Sequence, residues 1–115
     1  MAKLGFNRGL LDVNTQLRDL GLKTGIISNA EKPLRDILLD EYINKEPRQF
    51  DAVVCSCDVG YAKPDKEIFY ITCKRLSVKP ENTVFIDDVL AYVKAAKEIG
   101  MHGIHILLQK AILCL

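Results

Sequence analysis

Residues 83–88 read Thr-Val-Phe-Ile-Asp-Asp, an apolar run that ends abruptly in two adjacent carboxylates. A short apolar run of this kind is typical of a strand buried on both faces of a parallel sheet. Residues 90–99 follow with helical spacing of apolar side chains and end at Gly100. We therefore predict a strand and a helix, with Asp87 and Asp88 just past the carboxyl end of the strand, where α/β folds place their ligands.

The same alternation of strand and helix extends outward along the chain. Apolar strands are predicted over residues 23–28, 51–56 and 103–106, and helices over residues 9–20, 31–44 and 65–76. The strands lack clean alternation, which indicates helices on both faces of the sheet. The sequence predicts a three-layer, Rossmann-like α/β domain over residues 1–106, followed by an apolar tail of unknown role at residues 107–115.

Composition narrows the expected partners and the expected compartment. The 16 basic and 15 acidic residues are scattered and leave a net charge of +1, so we expect no nucleic-acid partner. No apolar run reaches transmembrane length, and no membrane association is expected. The absence of a signal peptide favours a cytoplasmic, reducing compartment. The cysteines lack zinc-ligand spacing and are expected to be buried free thiols: Cys55, Cys57, Cys73 and Cys114.

The adjacent acids Asp87 and Asp88 carry the first chemical prediction. Two like charges a few ångströms apart repel by several kcal/mol at an effective dielectric constant of about 20. A divalent cation would relieve that repulsion, and hard oxygen donors suit Mg²⁺. The alternative is that one of the two acids caps the helix that follows. The residues alone leave both interpretations open.

Two further polar positions follow predicted strands. Ser28 and Asn29 end the strand at residues 23–28, and a hydroxyl beside free backbone N–H groups can hold a phosphate oxygen. Lys63 lies in the loop after the strand at residues 51–56 and could supply a fixed positive charge for a phosphate. Each also has a structural interpretation, with Ser28 as a helix cap and Lys63 as a solvated turn residue.

The order and spacing of these clusters resemble the haloacid-dehalogenase-like hydrolase superfamily. The similar runs are GLKTGIISNA, FDAVVCSCDVGYAKPDKEIF and VFIDDVLAYVKAAKEIGMHGI. The resemblance implies that Ser28 and Lys63 are catalytic and that Ser28, Asn29 and Lys63 bind phosphate. It also implies that Asp87 and Asp88 hold Mg²⁺ in a hydrolase of small phosphorylated substrates.

The sequence also departs from this family. It contains no aspartate-x-aspartate run, which in the family supplies the nucleophile at the end of the first, central strand. The core is therefore expected to be incomplete, with a weak or incomplete Mg²⁺ site and no appreciable phosphatase activity of its own. Val89 and Tyr92 stand where relatives often have polar residues, which is expected to reduce metal affinity further.

Several alternatives remain open at this stage. The strands on either side of the missing one could pair directly, the N-terminal residues or the apolar tail could fill the gap, or another chain could supply a strand. That other chain would be a complementing fragment or an oligomer partner. The alternative to a hydrolase fragment is a non-catalytic binding or oligomerisation module. A receiver domain is disfavoured, because Lys63 precedes the acidic pair. His102 and His105 are expected to be structural or surface residues rather than ligands.

Overall fold

The structure is a computed structural model that describes residues 8–107. The apolar tail from residue 108 onward and Cys114 lie outside these residues, so the predictions on them stay predictions. The elements in chain order are α1 (Arg8–Asp19), β1 (Gly25–Ser28), α2 (Lys32–Tyr42), β2 (Ala52–Cys55), α3 (Ser56–Val59), α4 (Lys66–Leu76), a 3-10 turn (Pro80–Asn82), β3 (Val84–Asp87), α5 (Leu90–Glu98) and β4 (His102–His105). The predicted α/β alternation is confirmed.

The strands of the described residues form two separate parallel pairs. β1 pairs with β2 in the register Ile26↔Val53, and β3 pairs with β4 in the register Ile86↔Ile104. β1 and β3 do not pair with each other. The alternative in which these two strands close the gap directly is therefore wrong for this structure. Four-residue strands offer few ladder hydrogen bonds, so side-chain packing must hold the pairs together.

One hydrophobic cluster joins the two strand pairs. Val54 of β2 and Phe85 of β3 both pack in it with Phe69 of α4, and the Phe69 and Phe85 rings meet edge to face at 5.1 Å between centroids. Val93 of α5 completes this side. A second cluster, built around Ile26 and Val53 with helix α2, covers the opposite face of the β1–β2 pair. Helices therefore lie on both faces of that pair, as predicted.

The β3–β4 pair has helical cover on one face within the described residues. Its other face exposes Val84, Ile86 and Ile104, which are 54%, 38% and 48% accessible to solvent. The prediction of helices on both faces is thus fulfilled for β1–β2 and unfulfilled here.

Local sequence explains most element boundaries, with one difference at α3. The short helix α3 was predicted as loop, because four residues carry no measurable periodicity. It ends at Gly60, whose φ of 79° is a left-handed conformation that glycine adopts without strain.

Among the cysteines, Cys55 and Cys73 are buried as predicted, whereas Cys57 is exposed on α3. Across residues 8–107 we find no helix with the length and apolar character needed to cross a membrane.

Candidate active site

Asn29 connects the end of β1 to the loop that carries Lys63. The backbone N–H of Lys63 donates to Asn29 Oδ1 at 2.8 Å, and Asn29 Nδ2 donates to the carbonyl oxygen of Lys63 at 3.1 Å. The Asn29 side-chain amide thus exchanges two hydrogen bonds with the backbone of Lys63, as paired residues in a β-sheet do. It fixes the Lys63 backbone beside the carboxyl end of β1.

The Lys63 side chain reaches the carboxyl end of β3. Its ammonium donates to Asp87 Oδ2 at 3.1 Å, and the two side chains are only 10% and 12% exposed. The other carboxylate oxygen of Asp87 accepts from the backbone N–H of Val89 at 2.9 Å, at the start of α5. The N-cap of α5 is Val89, so neither Asp87 nor Asp88 occupies the cap position and the helix-cap interpretation is wrong, whereas the Asp87 carboxylate does pair with Lys63.

Two aromatic rings surround the Lys63 ammonium. Its Nζ lies 4.9 Å from the centroid of the Tyr92 ring and 5.8 Å from that of Phe85, both within the range of a cation–π contact. Asn29 Nδ2 also donates to the Tyr92 hydroxyl at 3.3 Å. Sequence reasoning noted Tyr92 only as a departure from the family pattern. An aromatic residue in the first turn of the helix after the acidic pair was the signal that could have identified it.

Asp88 has a different environment from Asp87. Partial burial, a hydrogen bond with Asp87 and the charge of Asp87 raise the pKa of the Asp88 carboxyl, and Lys63 only partly opposes them. Within residues 8–107 no basic side chain forms an ion pair with Asp88. Its backbone carbonyl lies 3.0 Å from His105 Nε2. A nearby cation favours the charged form of this carboxyl, and Lys63, the cation that lowers its pKa, is already paired with Asp87.

Ser28 lies at the same strand end, but no hydrogen bond joins it to Lys63 within the described residues. It is half-buried at the last position of β1, directly before Asn29. Helix α2 has Glu31, not Ser28, at its N-cap, so the helix-cap interpretation of Ser28 is wrong. No hydrogen bond of the Ser28 hydroxyl is found within the described part of the chain. The hydroxyl is therefore available to an external acceptor.

The metal-ligand set is incomplete. Among residues 8–107 no group of three or more His, Cys, Asp or Glu side chains is arranged to hold a metal ion. Asp87 and Asp88 supply hard carboxylate oxygens of the type Mg²⁺ prefers. Asp87 already uses both oxygens within the chain, so Asp88 is the carboxylate with room for a cation. The donors fit Mg²⁺ in kind, but they are too few to hold it alone.

Comparison with known proteins places this arrangement in a family. The haloacid dehalogenase-like hydrolase family model matches residues 7–100. A glyceraldehyde 3-phosphate phosphatase from Methanocaldococcus jannaschii is 35% identical over 102 residues, which is 83% of this chain and 41% of that protein. The crystal structure of a phosphatase of this superfamily from Thermococcus onnurineus has a TM-score of 0.73 at 35% identity, covering 84% of this chain and 44% of that one.

A third likeness shows the fold alone. An enzyme of the same superfamily from Bacteroides thetaiotaomicron, whose structure is a complex with magnesium and inorganic phosphate, has a TM-score of 0.71 at 24% identity. The match covers 85% of this chain and 51% of that one. The chain spans less than half the length of the curated relatives it matches. The match over residues 7–100 establishes that this chain belongs to the haloacid dehalogenase-like hydrolases.

Proposed function

We propose that the chain forms the phosphate-holding part of a phosphatase-type active site for small phosphorylated substrates. The observation that carries this proposal is the chain of direct contacts from Asn29 through Lys63 to Asp87. It gathers a cation, an amide and a carboxylate pair at neighbouring strand ends. The similarity to phosphatases supports the same class of substrate.

Each of these side chains has a role that follows from its surroundings. The Ser28 hydroxyl and the backbone N–H of Asn29 donate hydrogen bonds to phosphate oxygens, because the side-chain amide of Asn29 already donates to Lys63 and Tyr92. The Lys63 ammonium neutralises phosphate charge, and the remaining two N–H donors of its three are free to turn toward an anion. Because Asp87 already balances part of the lysine charge, phosphate binding by these groups alone is expected to be weak.

Mg²⁺ is the cofactor that the acidic pair would hold, with Asp88 as the direct ligand and Asp87 as the partner of Lys63. When bound, the ion would neutralise phosphate charge and polarise a phosphoryl oxygen. This assignment is supported by the ion pairs, because Asp87 is paired with Lys63 and no basic side chain within residues 8–107 pairs with Asp88. Water and phosphate oxygens would take the remaining coordination positions.

Turnover is a separate matter from binding. No aspartate-x-aspartate run occurs in this sequence, so the phosphate site has no carboxylate placed to attack phosphorus. We propose that this chain by itself binds phosphate but hydrolyses phosphate monoesters with no appreciable rate. Saturable hydrolysis of p-nitrophenyl phosphate with Mg²⁺, lost in Asp88→Asn, would refute that statement.

The binding proposal is tested by titrating inorganic phosphate into the full chain with Mg²⁺ present, followed by the NMR signals of backbone amides. We expect shifts at Ser28, Asn29 and Lys63. Lys63→Met should weaken the affinity by about tenfold or more, the loss expected for one charge-assisted hydrogen bond. Lys94→Met, an exposed position on α5, is the matched control and should leave the affinity unchanged. Equal affinities in the two variants contradict the proposal.

A second candidate function rests on the two unjoined strand pairs. Within the described residues, β1 has a neighbour on one side only, β2, and β3 likewise has only β4. Unpaired strand edges accept strands from other chains. We therefore also propose a non-catalytic module that takes up a partner strand or a second copy of itself.

A further inference from the structure

Tyr92 touches both of the groups that hold Lys63. Its ring lies 4.9 Å from the Lys63 ammonium, and its hydroxyl accepts from Asn29 Nδ2 at 3.3 Å. The same Asn29 nitrogen donates to the Lys63 carbonyl oxygen at 3.1 Å. One half-buried side chain on α5 thus contacts the head of the lysine and the residue that fixes its backbone.

The Tyr92 ring attracts the Lys63 ammonium without using its N–H donors, unlike a further carboxylate. Lys63 Nζ makes one hydrogen bond within residues 8–107, to Asp87, although its side chain is 10% exposed. An aromatic face attracts a cation through its quadrupole but presents no lone pair aimed at the N–H groups. The ring therefore stabilises the position of the charge while leaving two donors unspent.

Phe85 does not perform the same task. Its ring is farther from the ammonium, at 5.8 Å, and it is a buried member of the main cluster with Phe69. It also has no hydroxyl with which to reach Asn29. Among residues 8–107, Tyr92 is the side chain that contacts both the lysine head and the Asn29 amide.

We propose that Tyr92 is a positioning residue for Lys63: its ring holds the ammonium at the strand ends, and its hydroxyl orients Asn29. This assignment rests on the proposed phosphate-binding function. Tyr92 touches no reacting atom in this scheme and acts only through the two residues it holds. The purely structural alternative is that Tyr92 only packs against the main hydrophobic cluster.

Two variants separate the ring from the hydroxyl. Tyr92→Phe keeps the ring, and Tyr92→Leu keeps apolar bulk without it. The first readout needs no ligand: the NMR signals of the Lys63 side-chain methylene next to the ammonium, which a nearby ring face shifts upfield. We expect that shift in the native chain and in Tyr92→Phe, and a smaller shift in Tyr92→Leu, where the more distant Phe85 ring remains near the ammonium.

The second readout is the affinity for inorganic phosphate with Mg²⁺. We expect Tyr92→Leu to weaken it by about tenfold and Tyr92→Phe by about threefold. Tyr70→Leu, an exposed tyrosine on α4, should leave it unchanged. Thermal melts by circular dichroism establish which variants are folded. If Tyr92→Leu does not fold, the test rests on the ring-current shift in the native chain and in Tyr92→Phe. An upfield shift in both supports the role of the ring, and its absence contradicts that role.

The outcomes distinguish the two proposals. A folded Tyr92→Leu that binds phosphate like the native chain, or a native Lys63 without an upfield shift, overturns the role of Tyr92. A native chain that binds no phosphate contradicts the proposed function instead. The methylene signals still test the position of Lys63 in that case.

Discussion

Asp87 and Asp88 are neighbours in the chain but differ in electrostatic state. Asp87 is the largely buried partner of the Lys63 ammonium and of the Val89 backbone N–H. Asp88 lies beside that carboxylate, and the pKa of Asp88 is raised by burial and by Asp87. Removing the charge should therefore have opposite effects on stability at the two positions.

The first prediction is that Asp88→Asn stabilises the protein at pH 7. The raised pKa means that the folded state binds the Asp88 proton more tightly than the unfolded state does, where the pKa is about 3.9. This contribution to stability is complete at low pH and is lost as the pH rises through the folded-state pKa. We expect Asp88→Asn to raise Tm at pH 7 and to increase the free energy of unfolding there by less than about 1 kcal/mol. Near pH 3 it should have no effect on either quantity.

The matched variant is Asp87→Asn, which should lower Tm at pH 7. It leaves the Lys63 ammonium largely buried without a counter-charge, at a cost of about 1–3 kcal/mol. Calorimetry or circular dichroism melts across pH 3 to 7 measure both variants. A destabilised Asp88→Asn at neutral pH would contradict the account of this pair.

The elements that frame the site were largely predictable from sequence. The apolar run that becomes β3 and the acidic pair at its end required only local pattern. The sequence placed Lys63 and the acidic pair near the ends of parallel strands, but their direct ion pair was not predicted. The contact of Tyr92 with Asn29 was not predicted, because it depends on where the first turn of α5 lies relative to the end of β1, which hydrophobic periodicity does not determine.

The second prediction, at the level of elements, concerns the contact between α5 and β4. A Cβ added at Gly103 would lie 2.7 Å from Val93 Cγ1 and 2.9 Å from Lys97 Cε. The lysine end can swing aside, but Val93 is buried and β-branched, so it has no free rotamer to adopt. We expect Gly103→Ala to cost about 1–3 kcal/mol, through overpacking.

Urea denaturation followed by far-UV circular dichroism measures this cost. Ile104→Val is the control, because Ile104 is the next residue along β4 and is half-exposed on the opposite face. It should cost no more than about 0.5 kcal/mol. Equal midpoints for the two variants would show that α5 has room to retreat from β4.

Across the whole molecule, side chains rather than a continuous ladder connect the two strand pairs. Phe69 of α4 contacts the cluster that includes Val54 of β2 and Phe85 of β3. Sequence alone predicted an incomplete core but could not choose among the ways of closing it, because pairing is a long-range property. The structure excludes direct pairing of β1 with β3. Within residues 8–107 the edge of β1 away from β2 and the edge of β3 away from β4 are therefore unpaired.

These edges lead to the last prediction, which concerns association of whole chains. Unpaired edges and the exposed apolar face of β3–β4 favour contact with another copy, so the mass measured by light scattering should rise with protein concentration. A lysine on such a strand opposes pairing, and Val84→Lys should hold the chain at monomer mass. Val13→Lys is the control, since Val13 is a similarly exposed apolar residue on helix α1 and should leave association unchanged. A native chain that stays monomeric at every concentration would exclude self-association through these edges. The binding-module proposal would then require a partner strand from another protein.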